Sequence, residues 1–116
     1  MIDNIKRGEI VLVDLSGAQF NEQGYSRPAI IIQNDIGNRY SPTTIIVPLT
    51  SKVKNDLVTH VEIRGNRRTG LKETSTALCE QVRTVDKRRI IKKIGKIDNM
   101  ILSKIYDAYK ASFGEL

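Results

Sequence analysis

The chain has no tryptophan, one cysteine, one histidine and three prolines among its 116 residues, and aromatic residues make up 5 % of it. Each shortage closes off a class of chemistry. Cys79 stands alone and cannot form an internal disulfide; with His60 as the single histidine, no Cys/His zinc cluster can be assembled. Two-histidine RNA cleavage is impossible, and a Ser-His-Asp triad would have to use His60, which no nucleophile elbow accompanies. There is no Walker-type phosphate loop, no Gly-rich dinucleotide fingerprint and no Asp-x-Asp pair to hold magnesium. An enzyme made from this chain is expected to work without metal. Uninterrupted apolar runs reach only about four residues (29–32, and 45–49 if Pro48 is counted), which excludes a transmembrane helix. Residues 1–7 lack the apolar core of a secretory signal, so the cytoplasm is the expected compartment.

What is abundant is positive charge, and it is unevenly placed. Residues 1–60 hold six Lys/Arg and six Asp/Glu, whereas residues 61–116 hold thirteen against seven, so the whole net charge of +6 lies in the second half. Arg64, Arg67, Arg68 and Lys72 form one cluster; Arg83, Lys87, Arg88, Arg89, Lys92, Lys93 and Lys96 form another. Such an imbalance favours polyanionic partners, nucleic acid or an acidic protein, although solubility alone is an equally simple reason.

The length suits one domain over residues 1–116. Residues 10–13 are largely apolar on both faces, as in a strand buried on both sides. Residues 27–34 and 44–50 read as the second and third strands, with a turn at 35–38 between them. Residues 60–63 and 76–84 read as a fourth and a fifth strand. In the fifth, Glu80 shares a face with Leu78 and Val82, so it is either a paired buried acid or the mark of a bulge. Residues 86–97 are ambiguous, because Ile90, Ile91, Ile94 and Ile97 fit a helical stripe while Gly95 and the β-branched side chains suit a strand. Asp98 is a good N-cap for a helix whose apolar stripe is Ile101, Leu102, Ile105, Ala108, Tyr109 and Phe113, ending at Gly114. Five or six short strands and one amphipathic helix predict a mainly β fold with α, a small twisted barrel covered by the C-terminal helix.

The stretch from Asn21 to Thr50 holds the candidate site. A polar loop (16–26) containing Gly24 delivers Arg27 and Pro28 onto one strand, and the next strand carries Thr50 out at its far end, ahead of a second polar loop (51–57). Polar groups at the ends of buried strands are held rigidly enough to act on a ligand. Taken singly, Arg27 reads as a surface cation, Thr50 as a strand-end residue and His60 as a strand histidine whose sequence neighbours offer it no partner. Pattern alone leaves the function open.

The string Gly8-Glu9-Ile10-Val11-Leu12-Val13-Asp14-Leu15-Ser16, followed by Glu22-Gln23-Gly24 and Arg27-Pro28, closely resembles the MazF/PemK family of toxins. So do Ile32-Gln33-Asn34-Asp35-Ile36-Gly37-Asn38-Arg39-Tyr40-Ser41-Pro42-Thr43 (in the form found in Gram-positive bacteria), Thr59-His60-Val61-Glu62-Ile63 and Glu80-Gln81-Val82-Arg83-Thr84-Val85-Asp86-Lys87. The order and spacing of these pieces, from about residue 6 to 113, carry the resemblance.

It implies an SH3-like β-barrel of the CcdB/PemK type, homodimeric, acting as the toxin of a toxin–antitoxin pair. It further implies metal-independent, sequence-specific cleavage of single-stranded RNA, chiefly mRNA, to 2′,3′-cyclic phosphate and 5′-hydroxyl ends. The family's catalytic pair falls on Arg27 and Thr50. An arginine has an intrinsic pKa of about 12.5–13.8, so neutralising one at pH 7 costs about 7–9 kcal/mol. Arg27 is therefore read as charge stabiliser and at most proton donor to the 5′-oxygen, with Glu22 as the candidate base. Gln23, Ser51, Lys52, Lys54 and Gln81 are candidate RNA contacts, with Phe20 and Tyr25 available for stacking. The expected protein partner is an acidic, partly disordered antitoxin covering the RNA groove. Two other readings are a non-catalytic RNA-binding barrel and a gyrase poison of the CcdB family, whose tryptophan near the C-terminus has no counterpart here.

Overall fold

The doubly apolar run near the N-terminus forms β1 (Glu9–Asp14), and its two faces feed two separate cores. The computed structural model describes residues 4–17, 25–52 and 57–114. After β1 come β2 (Ser26–Ile31), α1 (Asp35–Tyr40), β3 (Thr43–Thr50), β4 (His60–Ile63), β5 (Ser75–Leu78), β6 (Arg83–Asp86), β7 (Ile90–Lys96) and α2 (Asn99–Phe113). The strands run β4-β5-β3-β2-β1-β7, with β6 pairing to β3 as well. Every pairing is antiparallel. β3 serves two partners along the same edge: Thr43 to Ile46 pair with β6, and Leu49 and Thr50 pair with β5. Pro48 stands at the changeover, where a residue without an N–H interrupts pairing at least cost.

Val11, Val13, Ala29, Ile31, Ile46, Val85 and Ile90 come from five different strands and are buried together without help from a helix. The two outer strands of that set, β6 and β7, are joined by a three-residue turn, Lys87–Arg89, which curls the sheet around these side chains into the expected barrel. The outer face is apolar too. Ile10, Ile30, Val47 and Leu49 pack there with Val61, Ile63 and Ala77 of the β4–β5 ribbon and with Ile105 and Ala108 of α2. The result is mainly β with α. Among the described residues no helix is long and apolar enough to cross a membrane.

Four sequence expectations are corrected. Residues 35–38 form the start of α1, because the Asn34 side chain accepts the Gly37 N–H at 2.8 Å and caps a helix. For the same reason β2 stops at Ile31. The long strand over 76–84 is broken by a 3₁₀ turn, Cys79–Gln81, where the chain passes from β5 to β6. Glu80 sits in that break, exposed, and is 3.2 Å from His60 Nε2, so the histidine gains a partner that its own strand could not supply.

The ambiguous stretch resolves as a turn and then strand β7. Two register shifts against β1 place an extra residue at Ile91 and at Ile94, which is why a strand could imitate helical spacing. The C-terminal helix is as expected at its start: Asp98 accepts the Ile101 N–H at 2.9 Å, while Ile105 and Ala108 are buried. Phe113 is 65 % exposed and meets the Tyr109 ring edge-on.

Asn38, 4 % exposed, explains the polar string before β3. Its Oδ1 accepts from Thr44 Oγ1 at 2.7 Å and Gln33 Nε2 at 3.2 Å, and its Nδ2 donates to the Gln33 carbonyl at 2.9 Å. Lys87 Nζ donates to its backbone carbonyl. The residue is structural. Asn38→Ala leaves the buried Thr44 hydroxyl without this acceptor and should cost about 2–4 kcal/mol. A shifted denaturant midpoint with unchanged activity of the folded protein would be the signature; an unchanged midpoint would refute it.

Candidate active site

The β2–β3 ladder pairs Ala29 with Pro48, Ile30 with Val47 and Ile31 with Ile46, so paired numbers sum to 77. The ladder stops before Pro28, which has no N–H to extend it. The same register carried two residues further sets Arg27 opposite Thr50. Directly opposed residues share a face, with Cβ atoms about 4.5–5.5 Å apart when the strands stay paired. Alternation agrees, since Arg27 follows the side of Ala29 and Ile31, and Thr50 the side of Ile46. Both lie at one end of the barrel, where β2 begins and β3 ends.

Arg27 is half-buried and Thr50 is 2 % exposed. Thr50 Oγ1 accepts the Lys52 N–H at 3.2 Å, which fixes the hydroxyl oxygen and the start of the following loop. A hydroxyl that accepts still has one proton to donate. Ser51 and Lys52 follow directly and are exposed. Tyr25 precedes β2, 82 % exposed, with a left-handed backbone (φ 62°), and its carbonyl accepts the Leu15 N–H at 2.8 Å. A tyrosine held in that conformation is strained, and such residues concentrate where a binding loop is fixed by its surroundings. Gln81 ends the 3₁₀ turn that spans Val47 and Pro48 on β3, two to three residues inward from Thr50. Phe20, Glu22, Gln23 and Lys54 lie outside the described residues.

Sequence reasoning missed Arg89. Its Nη1 donates to the carbonyls of Asp14 at 3.2 Å and Ser16 at 3.3 Å, tying the start of β7 to the base of the loop that leads to Arg27. Nothing in the run Lys87-Arg88-Arg89 singled it out. Asp14 faces the same corner: its carboxyl is held below the ordinary range by the Ser16 backbone N–H, then the Ser16 side chain, with a smaller pull from Arg89. Among the described residues no three His, Cys, Asp or Glu side chains gather as a cation site requires.

Cys79 is fully buried, and burial, with Glu80 adding to it, pushes its thiol up to about 12. A thiol with that pKa is neutral and unreactive at pH 7. A disulfide reagent should therefore label Cys79 only on unfolding; rapid labelling of the native protein would contradict its burial.

Residues 6–113 match the model of the PemK-like, MazF-like toxin of type II toxin-antitoxin systems. The Endoribonuclease EndoA of Bacillus subtilis is 44 % identical over 109 residues, covering 93 % of each chain. MazF from Deinococcus radiodurans superposes with a TM-score of 0.82 at 18 % identity, over 96 % of this chain and 97 % of that one. A mycobacterial endoribonuclease in complex with its cognate antitoxin superposes with a TM-score of 0.78 at 20 % identity, over 96 % of each. The structural likenesses establish the fold, while the family match spans nearly the whole sequence. The chain belongs to the PemK-like, MazF-like family of toxins of type II toxin–antitoxin systems.

Proposed function

We infer that this protein is a metal-independent endoribonuclease toxin that cuts single-stranded RNA, chiefly mRNA, at short sequence motifs. The reading is supported by the β2–β3 register, which sets Arg27 opposite Thr50 when it is carried two residues beyond its last pair, Ala29 with Pro48, in a chain of this family. The 2′-hydroxyl attacks the adjacent phosphorus while the bond to the 5′-oxygen breaks, leaving a 2′,3′-cyclic phosphate and a 5′-hydroxyl. Negative charge builds on the non-bridging oxygens. The Arg27 fork grips two of them and the Thr50 hydroxyl donates to one, so stabilisation grows as the transition state forms. Glu22 takes the 2′-proton, and Arg27 is at most the donor to the departing 5′-oxygen.

Tyr25 and Phe20 stack bases, Gln23, Ser51 and Gln81 read base edges, and Lys52 and Lys54 hold phosphates. The working form is a homodimer, and an acidic, partly disordered antitoxin covers the groove by charge complementarity. Purified protein in excess chelator should cut a long single-stranded RNA at discrete sites and leave cyclic phosphate ends. RNA that is bound yet intact would favour a passive binding barrel instead. A Glu22→Gln variant with an undiminished rate would remove Glu22 as base.

A further inference from the structure

The proposed cleavage chemistry leaves most of the basic residues unused, and the fold brings their two clusters together. The Lys96 N–H donates to the Arg68 carbonyl at 2.9 Å, and a Cβ built on Gly95 would lie 2.3 Å from the Thr69 carbonyl oxygen. The loop carrying Arg67, Arg68 and Lys72 thus lies directly on the far end of β7, which carries Lys92, Lys93 and Lys96. All six side chains belong to exposed residues. Lys93 pairs with Glu9 at 3.3 Å and Arg68 with Asp98 at 3.7 Å. Among the described residues, no ion pair involves Lys92, Lys96, Arg67 or Lys72. At its near end β7 follows Arg89, which holds the base of the loop leading to Arg27. The positive charge therefore starts beside the candidate site and follows the β7 edge for about 13 Å, the length of the Glu9–Val13 stretch that β7 pairs with, at about 3.3 Å per residue. Lys93 and Lys96 lie on the side of Val11 and Glu9, and Lys92 lies on the side of Leu12.

We propose that this edge is a phosphate track, which holds single-stranded RNA beyond the cut through its backbone and without reading its sequence. The proposal rests on the endoribonuclease reading above. Lysines on an edge strand also discourage edge-to-edge pairing. That role accounts for Lys92 and Lys96, but not for Arg67 and Lys72 on a neighbouring loop. An elongated row of cations leading away from a phosphate-cleaving site suits a continuing RNA strand better than a compact acidic protein.

The test is a triple variant, Lys92→Ser, Lys96→Ser and Arg67→Ser, compared with wild type in two assays. Binding of a long mixed-sequence RNA, measured in an Arg27→Ala background across a salt series, should weaken by about tenfold or more at low salt. The slope of log affinity against log salt should become shallower by about 2, at about 0.7 per lost phosphate contact. Cleavage of a short oligonucleotide spanning one mapped cut, in the otherwise native protein, should be unchanged. An unchanged slope overturns the track, as does a variant that keeps its RNA affinity and loses only polyglutamate binding, which would assign the edge to an acidic protein. Aggregation of the variant with an unchanged slope would assign the lysines to edge protection. Absence of any cutting by wild type would refute the nuclease reading separately, because the slope comparison needs no cleavage.

Discussion

Arg27→Ala should lower the RNA cleavage rate by about 10³-fold or more, some 4 kcal/mol of transition-state stabilisation, with binding of intact RNA weakened far less. A neutral oxyanion donor contributes about 10²–10³ in other enzymes, and Arg27 supplies a fixed charge and two parallel N–H groups. Because the charge it meets develops during reaction, the loss should fall on kcat more than on KM. Arg27→Lys separates charge from geometry. It keeps the cation and loses the planar fork, so it should restore only part of the rate. Thr50→Ala should cost about 10²-fold, and the double variant should lose less than the product of the two, since in the proposed mechanism both groups serve one phosphate. Full activity in Arg27→Ala would end the mechanism. A rate falling only in step with RNA affinity would make Arg27 a binding residue.

Gly95→Ala should be among the most damaging substitutions in the barrel. Its new methyl would meet the carbonyl oxygens of Thr69 at 2.3 Å and Arg68 at 2.4 Å, both rigid backbone atoms. Either the loop lifts off β7, breaking the bond from Lys96 N–H to the Arg68 carbonyl, or the bulged strand deforms. Such overpacking costs about 3 kcal/mol, which in a domain of this size lowers the melting temperature by roughly 10 °C. Gly70 is the reciprocal half of the contact, at φ +70° and with its Cβ position 2.1 Å from the Ile94 carbonyl oxygen. Gly114→Ala is the control, since its Cβ would meet nothing nearer than 3.6 Å. Equal melting temperatures for Gly95→Ala and wild type would show that the loop and β7 are not held as described.

By itself the sequence determined what depends on local chemistry. The doubly apolar run of β1, the Asp98 cap and the apolar stripe of α2 are set by neighbours within a few residues, so they were legible. The resemblance to the family also named Arg27 and Thr50 as catalytic candidates, through the order and spacing of the pieces around them, and the variants above test that choice. The tertiary structure decided what depends on contacts distant in the chain. Only the pairing of β2 with β3 brings Arg27 toward Thr50, and only the fold gives His60 its Glu80. β7 was ambiguous because two bulges disrupt its period of two, and a bulge is defined by the partner strand, which a linear reading does not contain. Two basic clusters came together along one edge because Gly95 and Gly70 allow a loop and a strand to touch backbone to backbone, an approach any side chain there would block.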